Sequence, residues 1–426
     1  MQSASQRITA IQARPPAVPA DLDRLTAAVA DSGLMDETVG VDRLTDPALH
    51  ADGDPHRVWH WMRHHAPVLR HPAGELPPFW SLTRYEDVRA AYRDPQTFSS
   101  RRGVLLRPAD RGEDPGGGMT LALTDPPRHK QLRAVVADWF TTRSVRRLEE
   151  SMRASVRAIL ARVCDEPVVD FVHDVAGRLS MYVIGSIMGV PDRDHENLFR
   201  WTNEAFEAGV SLAAHQELMH YFIDMMERRL TAPTDDLVSA LLGGTLGGDL
   251  LTEEEVLLNC ENIVGATENG RLAIAGGMEA FLRHPGQWRR LDADRSLLPS
   301  AIEEVLRWTS SATHSMRTAT RDCTVRGRRI PAGDRVVLWV PSANRDEEIF
   351  AEPGRFDIGR SPNRHLALGI GEHFCLGATL ARTQMRILYT ELLDRTRCIE
   401  LAGPVHRVRS IAVGGPETLP VRFVLR

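Results

Sequence analysis

Lysine is almost absent from this chain of 426 residues, and Lys130 is the only lysine among 52 basic side chains. Acidic side chains number 57, so the formal net charge is −5. Nucleic acids and anionic membrane surfaces bind proteins through clustered positive charge. We therefore expect neither as a partner. The preference for arginine, together with abundant alanine, is typical of a GC-rich bacterial genome.

Cysteine is also scarce, and long hydrophobic runs are missing. The five cysteines are odd in number and have no paired spacing, which excludes a disulfide framework and suits a reducing compartment. The first residues contain neither a run long enough to span a bilayer nor a positive stretch followed by an apolar one. We expect a cytoplasmic protein without a membrane segment.

Apolar residues are spread evenly along the chain, which predicts one large domain. We interpret residues 1–40 as an N-terminal extension and residues 41–426 as a single domain. Helical periodicity dominates residues 141–298, whereas strand-like runs occur around Trp80 and near the C-terminus. The segment from Cys323 to Val340 predicts a hairpin with its turn near Pro331 and Gly333. The pattern predicts a fold that is mainly α with small β-sheets.

A glycine-rich loop, LALGIGEHFCLG at residues 366–377, presents one cysteine, Cys375. A lone cysteine is usually an inert buried side chain, so its neighbours decide the interpretation. Gly369 and Gly371 allow backbone angles that a Cβ forbids, and Gly377 leaves room for a flat ligand beside the sulfur. The next residues predict a helix, whose N-terminus favours a thiolate. A single axial bond to haem iron fits this loop better than a zinc site, which needs three or four clustered ligands.

The loop pattern G-x-G-x-H-x-C-x-G resembles the haem-binding loop of the cytochrome P-450 superfamily, with Leu368 where a phenylalanine is usual. Glu304 and Arg307 match the family's E-x-x-R pair, and Arg355 is expected to join them in a structural network. The resemblance implies the family's fold, in which haem b (iron protoporphyrin IX) lies between a long distal helix and the cysteine loop. It also implies that Cys375 is the axial iron ligand.

Further matches concern the haem propionates. LTDPPRHKQLR resembles the family's motif at the haem edge, and its His129 and Arg133 lie on one helical face, where they can bind a propionate through charge-assisted hydrogen bonds. Arg317 and His365 match two more propionate positions. The resemblance thus implies that haem contacts six residues besides Cys375: His129, Arg133, Arg317, His365, Gly369 and Gly377.

The stretch from Glu253 to His284 predicts one long helix whose middle resembles the family's oxygen-activating segment. The match makes three residues the catalytic candidates: Ala266 at the small position, Glu268 at the acid, and Asn269 where an alcohol, usually threonine, is expected. Glycines at 265, 270, 276 and 277 each weaken a helix by roughly 1 kcal/mol relative to alanine. Close approach of the haem to the backbone explains Gly265. For Gly276 and Gly277, helix packing is an equally good explanation.

Asn269 lacks the hydroxyl that helps to deliver protons in the family. An amide can donate a hydrogen bond and hold a water molecule, but it does not readily relay a proton. Three interpretations stay open: a substitute that anchors water, a contact to a polar substrate that itself helps to deliver protons, or a site retuned for a less usual oxidation. Glu268 is interpreted as a member of a proton path or of a buried network.

The resemblance places the substrate pocket at Ala266, Asn269, Ala312, Thr313 and His314, with further contributions from residues 101–106 and 203–212. Ser311 replaces a common proline. This wall is more polar than usual, which favours a substrate with oxygen or nitrogen groups unless several of these side chains point elsewhere. For His314 we consider a substrate contact, a distal ligand in a resting state, or a solvated side chain.

Together these matches imply a haem-thiolate monooxygenase that hydroxylates or epoxidises a medium-sized, partly polar molecule in bacterial secondary metabolism. The expected partners are a ferredoxin with its NAD(P)H-dependent reductase and a small-molecule substrate, either free or bound to a carrier protein. One alternative is oxidative coupling or ring formation without oxygen insertion. A second alternative is a non-catalytic haem protein.

Overall fold

Helices form most of the part of the chain that the computed structural model describes, namely residues 40–108, 112–206 and 212–426. The first eight helices are α1 Pro47–Asp52, α2 Pro55–His65, α3 Tyr85–Arg93, α4 Arg128–Ala137, α5 Thr142–Arg147, α6 Glu149–Val163, α7 Arg178–Met188 and α8 His195–Phe206. The next eight are α9 Leu212–Thr231, α10 Leu237–Leu242, α11 Glu253–Gly265, α12 Thr267–Arg283, α13 Pro285–Ala293, α14 Leu298–Thr309, α15 Val340–Ala343 and α16 Ala378–Arg395. None of these helices combines the length and the hydropathy that a membrane crossing requires.

The strands are short and form small sheets. They are β1 Val68–His71, β2 Phe79–Leu82, β3 Phe98–Ser99, β4 Val169–Asp170, β5 Thr245–Leu246, β6 Asp249–Leu250, β7 His314–Ala319, β8 Cys323–Val325, β9 Arg328–Ile330, β10 Arg335–Trp339, β11 Thr396–Leu401, β12 His406–Arg407, β13 Pro416–Thr418 and β14 Pro420–Leu425. The largest sheet has the order β1-β2-β10-β7-β3, and a second has the order β11-β14-β4. The predicted class, mainly α with small sheets, is confirmed. The division at residue 40 stays a prediction, because residues 1–39 lie outside the described part.

The predicted hairpin turn was misplaced. β8 and β9 form the hairpin, and they are joined at Arg326 and Gly327, which both have positive φ. Pro331 and Gly333 instead lead from β9 to β10, which pairs with β2 and β7 in the large sheet. β10 is almost fully buried, so its apolar side chains are removed from water in the central sheet, whereas an exposed hairpin would leave them in contact with it.

The long helix predicted over residues 253–284 is divided at Ala266 into α11 and α12. α11 begins with a reciprocal capping box, in which Thr252 Oγ1 accepts from the Glu255 N–H and Glu255 Oε2 accepts from the Thr252 N–H. At the division, the Ala266 N–H still donates to the carbonyl of Asn262 at 3.0 Å. The helical hydrogen bonding of α11 therefore reaches the residue at which the two helices are divided.

Close packing explains two of the four glycines in this region. A Cβ on Gly277 would lie 2.3 Å from the Tyr389 hydroxyl and 2.6 Å from Val305 Cγ1. One on Gly276 would lie 2.8 Å from Thr309 Cγ2. These glycines let α12 pack closely against α14 and α16, and the packing interpretation is favoured for both.

Candidate active site

The cysteine loop is shaped by two glycines in the left-handed region. Gly369 has φ 65° and Gly371 has φ 80°, and a Cβ on Gly371 would lie 2.9 Å from the Tyr92 carbonyl oxygen. The Cys375 N–H donates to the carbonyl of Leu368 at 2.9 Å, which closes the loop. α16 then begins at Ala378, directly after Gly377. The sulfur thus lies just before a helix N-terminus, as predicted.

The surroundings of Cys375 oppose a free thiolate more than the sequence indicates. Burial raises the pKa of this thiol, and the Gly377 N–H and the positive charges of Arg133 and Arg382 offset only part of that increase. A metal ion that binds the sulfur deprotonates it outright. The site therefore favours the thiolate as a metal ligand rather than as a free nucleophile.

A cavity of about 460 Å³ connects the cysteine loop to the divided helix. Cys375 and Gly377 contribute to its wall from the loop, Ala266 contributes from the division between α11 and α12, and Asn269 contributes from α12. The space where a Cβ on Gly377 would lie has no heavy atom within 4 Å in the described part of the protein. The cavity therefore leaves the side of the sulfur open, as a flat ligand requires.

Cationic and unpartnered donor groups gather at one edge of this cavity. His129 is fully buried, and neither ring nitrogen has a hydrogen-bond partner among the described residues. Arg133 and Arg317 line the same cavity, and burial lowers the pKa of both guanidinium groups. Such a set is costly to bury without anions, and two carboxylates would satisfy it. The residues present therefore fit the propionates of a haem whose iron Cys375 would bind.

One predicted haem contact lies elsewhere. His365 is not among the residues that line the cavity; its Nε2 lies 3.1 Å from Glu303 Oε2, and its Nδ1 accepts from the Ala367 N–H. Glu303 also accepts two hydrogen bonds from Arg382 of α16, at 2.6 and 2.8 Å. This ion-pair cluster gives His365 a structural role in place of the predicted propionate contact.

His373, rather than His365, lies beside His129 at the edge of the cavity. Its ring centroid lies 4.2 Å from that of His129, it lines the cavity, and its Nε2 lies 3.3 Å from Ser100 Oγ. Burial and then the charges of Arg317, His129 and Arg133 lower its pKa to about 3. The sequence contains the signal, because His373 is the histidine of G-x-G-x-H-x-C-x-G itself.

The E-x-x-R pair forms a buried network away from the cavity. Glu304 and Arg307 are fully buried and joined by two hydrogen bonds of 2.8 Å. The expected third member, Arg355, contributes only its carbonyl oxygen, since its side chain pairs with Glu352. Arg360 takes that place and donates to Glu304 at 3.1 Å. The network is structural, as predicted, with a different arginine.

The three distal candidates separate into two groups. Ala266 and Asn269 line the cavity, whereas Glu268 does not. Glu268 pairs with Arg271 on the same helix, where Nε and Oε2 are 2.9 Å apart. This placement favours the buried-network interpretation of Glu268. Asn269 has a buried Oδ1 that lacks a hydrogen-bond partner in the described residues, and its carbonyl oxygen accepts from Ser311 Oγ at 2.9 Å.

The prediction that Ala312, Thr313 and His314 line the substrate pocket is only partly correct. Ala312 and His314 line the cavity, but Thr313 does not, because neighbouring side chains of an extended segment point to opposite sides. The Leu106 N–H donates to His314 Nε2 at 3.0 Å, and His314 Nδ1 donates to the carbonyl of Ile411 at 2.8 Å. Burial lowers the pKa of His314 to about 4. Both ring nitrogens are therefore occupied, which contradicts the solvated side chain and leaves no lone pair for a metal. Part of the predicted range 203–212 lies outside the described residues.

Known proteins resemble this chain over most of its length. Residues 289–401 match the Cytochrome P-450 family model. The steroid C26-monooxygenase of Mycolicibacterium smegmatis is 36% identical over 393 residues, which is 89% of this chain and 95% of that protein. The cyclomarin C epoxidase CymV of Salinispora arenicola is 37% identical over 396 residues, covering 89% and 99%. The crystal structure of P-450 OxyD, which is involved in the biosynthesis of vancomycin-type antibiotics, has a TM-score of 0.85 at 34% identity, covering 90% and 99%.

A cysteine loop and a divided helix that line one cavity, with buried cationic groups at its edge, fit the haem-iron cofactor that the family of these relatives implies. The chain belongs to the cytochrome P-450 family, and it is an enzyme of the monooxygenase type that its relatives are named for. Members of the family receive electrons from redox partners.

Proposed function

We propose that this monooxygenase hydroxylates or epoxidises a medium-sized, partly polar organic molecule in bacterial secondary metabolism. The observation that carries the proposal is the cavity wall opposite Cys375. Asn269, whose buried Oδ1 has no hydrogen-bond partner among the described residues, lines that wall together with Asn262 and Ser311. A wall that offers an unsatisfied acceptor selects for a substrate with a hydroxyl or amine group, since an unpaired buried acceptor otherwise costs about 1–3 kcal/mol.

The reaction is written as RH + O2 + two electrons + two protons → ROH + H2O; for an alkene, the same consumption gives an epoxide and water. NAD(P)H supplies the electrons through a ferredoxin reductase and a ferredoxin, which would dock on the side of the cysteine loop. The chain's own residues bind and orient the substrate and exclude bulk water, and Asn269 can hold a water molecule or a polar group of the substrate by hydrogen bonding.

The cofactor we propose is haem b. Cys375 would bind its iron, and His129, Arg133, Arg317 and His373 would hold its propionates. When bound, the haem supplies the chemistry of O2 activation, and its thiolate ligand favours cleavage of the O–O bond.

Two relatives support a substrate from natural-product biosynthesis. CymV is named as an epoxidase of cyclomarin C, and OxyD is described as acting in antibiotic biosynthesis. The neighbouring structure of P-450 BioI holds a fatty acid ligated to acyl carrier protein. We therefore include carrier-bound molecules among the substrates to test.

The proposal is tested by optical spectroscopy followed by isotope labelling. The dithionite-reduced protein with carbon monoxide should show the red-shifted band of thiolate ligation, and compounds that drive the iron high-spin become substrate leads. With such a compound, a ferredoxin, its reductase and ¹⁸O2, the product should contain one labelled oxygen atom. An unlabelled coupled or cyclised product would replace oxygen insertion with oxidative coupling, and an imidazole-type band would overturn the thiolate assignment.

A further inference from the structure

Ser180 on α7 has a buried hydroxyl that plays no part in the site described above. The residue is 4% exposed, it lines the active-site cavity, and its Oγ has no hydrogen-bond partner in residues 40–108, 112–206 and 212–426. Buried polar atoms are almost always hydrogen-bonded to protein or to ordered water. The position therefore points to a water molecule or a polar ligand group within the cavity.

A second unpartnered atom lies on the same cavity, from the neighbouring helix. Asn269 Oδ1 on α12 is buried and unpartnered. Gly270 follows it, and a Cβ there would meet only Ser180 Oγ, at 3.5 Å, among the heavy atoms counted within 4 Å. α7 and α12 also pack against each other. The missing side chain at Gly270 thus leaves space beside Ser180 Oγ, next in sequence to Asn269, whose Oδ1 also needs a hydrogen bond.

The two groups differ in what they can do with a proton. A hydroxyl donates and accepts, so it can pass a proton along, whereas a carboxamide cannot do so readily. The alcohol expected on the distal helix is replaced by Asn269, and Ser180 offers a hydroxyl from the adjacent helix instead. We propose that Ser180 and Asn269 together hold an ordered water beside Gly270, and that Ser180 is the positioning residue through which protons reach the cavity.

A buried arginine, Arg271, lies close to the helical segment that leads into Ser180. Arg271 is 3% exposed and has an unpartnered Nη1, and its Cδ lies 3.1 Å from the Cβ position of Gly177. Gly177 and Ser180 are three residues apart, so they share one side of the helical segment. Arg271 in turn holds Glu268, whose side chain is 16% exposed.

This inference rests on the proposed monooxygenase function, and its first test does not depend on turnover. A high-resolution crystal structure of the haem-loaded enzyme should show a water within about 3 Å of both Ser180 Oγ and Asn269 Oδ1. Gly270→Ala should expel that water, and it should not destabilise the protein, because alanine favours a helix by roughly 1 kcal/mol over glycine. Density without a water there, or with the two side chains bonded directly to each other, would overturn the inference.

The second test measures how electrons divide between product and peroxide, with a compound that has shifted the spin state. Uncoupled turnover follows O2 + two electrons + two protons → H2O2. We expect Ser180→Ala to raise peroxide per NAD(P)H consumed and to lower coupled turnover on the order of tenfold or more, with a changed solvent isotope effect. Ser186→Ala is the matched control, since Ser186 lies on the same helix but is exposed and donates to Tyr182.

A rescue variant separates proton supply from packing. Adding Asn269→Thr to Ser180→Ala returns a hydroxyl to the distal helix, and it should restore coupling. If Ser180→Ala matches Ser186→Ala in peroxide yield, the inference is wrong while the proposed function stands. If the thiolate band itself is missing from the parent enzyme, the proposed function fails first.

Discussion

Cys375 differs from the other four cysteines in its position rather than in being a free thiol, since all five are free. It is the cysteine of the glycine-rich loop, next to a cavity, and its charged neighbours are arginines. These features suit a metal ligand, as the thiolate is stabilised when iron binds.

Cys375→Ser should abolish the carbon monoxide band of thiolate ligation, because a serine hydroxyl is a far weaker iron ligand. The measurement is the reduced difference spectrum of the purified variant. Cys398→Ser, which changes a cysteine on β11 remote in sequence, should keep the band. Persistence of the band in the first variant would contradict the ligand assignment.

His314 also belongs to the residue scale, because both of its nitrogens are engaged by backbone groups. His314→Phe should leave the resting optical spectrum of the haem unchanged, and it should lower the free energy of unfolding by about 2–3 kcal/mol, since a buried N–H and a buried carbonyl lose their partners. Urea unfolding and an absorption spectrum check both parts. The exposed His406→Phe serves as the control. A marked spectral change in the His314 variant would instead support a distal ligand.

The packing of α12 depends on glycines, although glycine lowers the intrinsic stability of a helix. Gly277→Ala places a methyl group against the Tyr389 hydroxyl and Val305, so we expect a loss of about 1–3 kcal/mol in the free energy of unfolding. Gly286→Ala, on α13, has open space at its Cβ position among the described atoms and should instead stabilise by up to about 1 kcal/mol. Urea unfolding measures the change in the free energy of unfolding for each variant. Changes of opposite sign would support close packing of α12, and changes of the same sign would refute it.

The loop, α14 and α16 are joined through Glu303. Partial burial raises the pKa of this carboxyl, but the hydrogen bonds from Arg382 and His365 outweigh it and lower the pKa to about 2 from the usual 4.5. A lowered pKa means that the ionised form stabilises the folded state above about pH 4.5 and that this contribution disappears as the pH falls toward 2.

Glu303→Gln should therefore reduce the free energy of unfolding at pH 7 by about 1–2 kcal/mol, a value reduced for solvent screening. The difference from the parent enzyme should shrink between pH 4.5 and pH 2. Urea unfolding at several pH values measures it, with the exposed Glu75→Gln as the control. A difference that stays constant down to pH 2 would show that the carboxylate charge is not the cause.

At the scale of the whole molecule, motif spacing is enough to predict the fold class and the cavity. Cys375, His129, Arg133 and Arg317 all line it as expected, because each belongs to a motif whose helix or loop determines its direction. The predicted direction of the His365 side chain was wrong, because the direction of a side chain beside a loop depends on a partner distant in sequence, here Glu303. Likewise Arg360 rather than Arg355 reaches Glu304, and Thr313 points away from its neighbours, since register along an extended segment is set by tertiary contacts.

The division at Ala266 has a consequence for how such an enzyme changes its specificity. Downstream, α12 is held by the close contacts of Gly276 and Gly277, so little can be altered there without loss of stability. Upstream, α11 presents Asn262 and Ile263 to the same cavity on a separately capped helix. The cavity-lining residues Asn262 and Ile263 of α11 and Asn269 near the start of α12 therefore lie apart from the closely packed glycines farther along α12. Laboratory evolution toward new substrates can act on α11 and the first turns of α12 while the later part of α12 remains a constant framework.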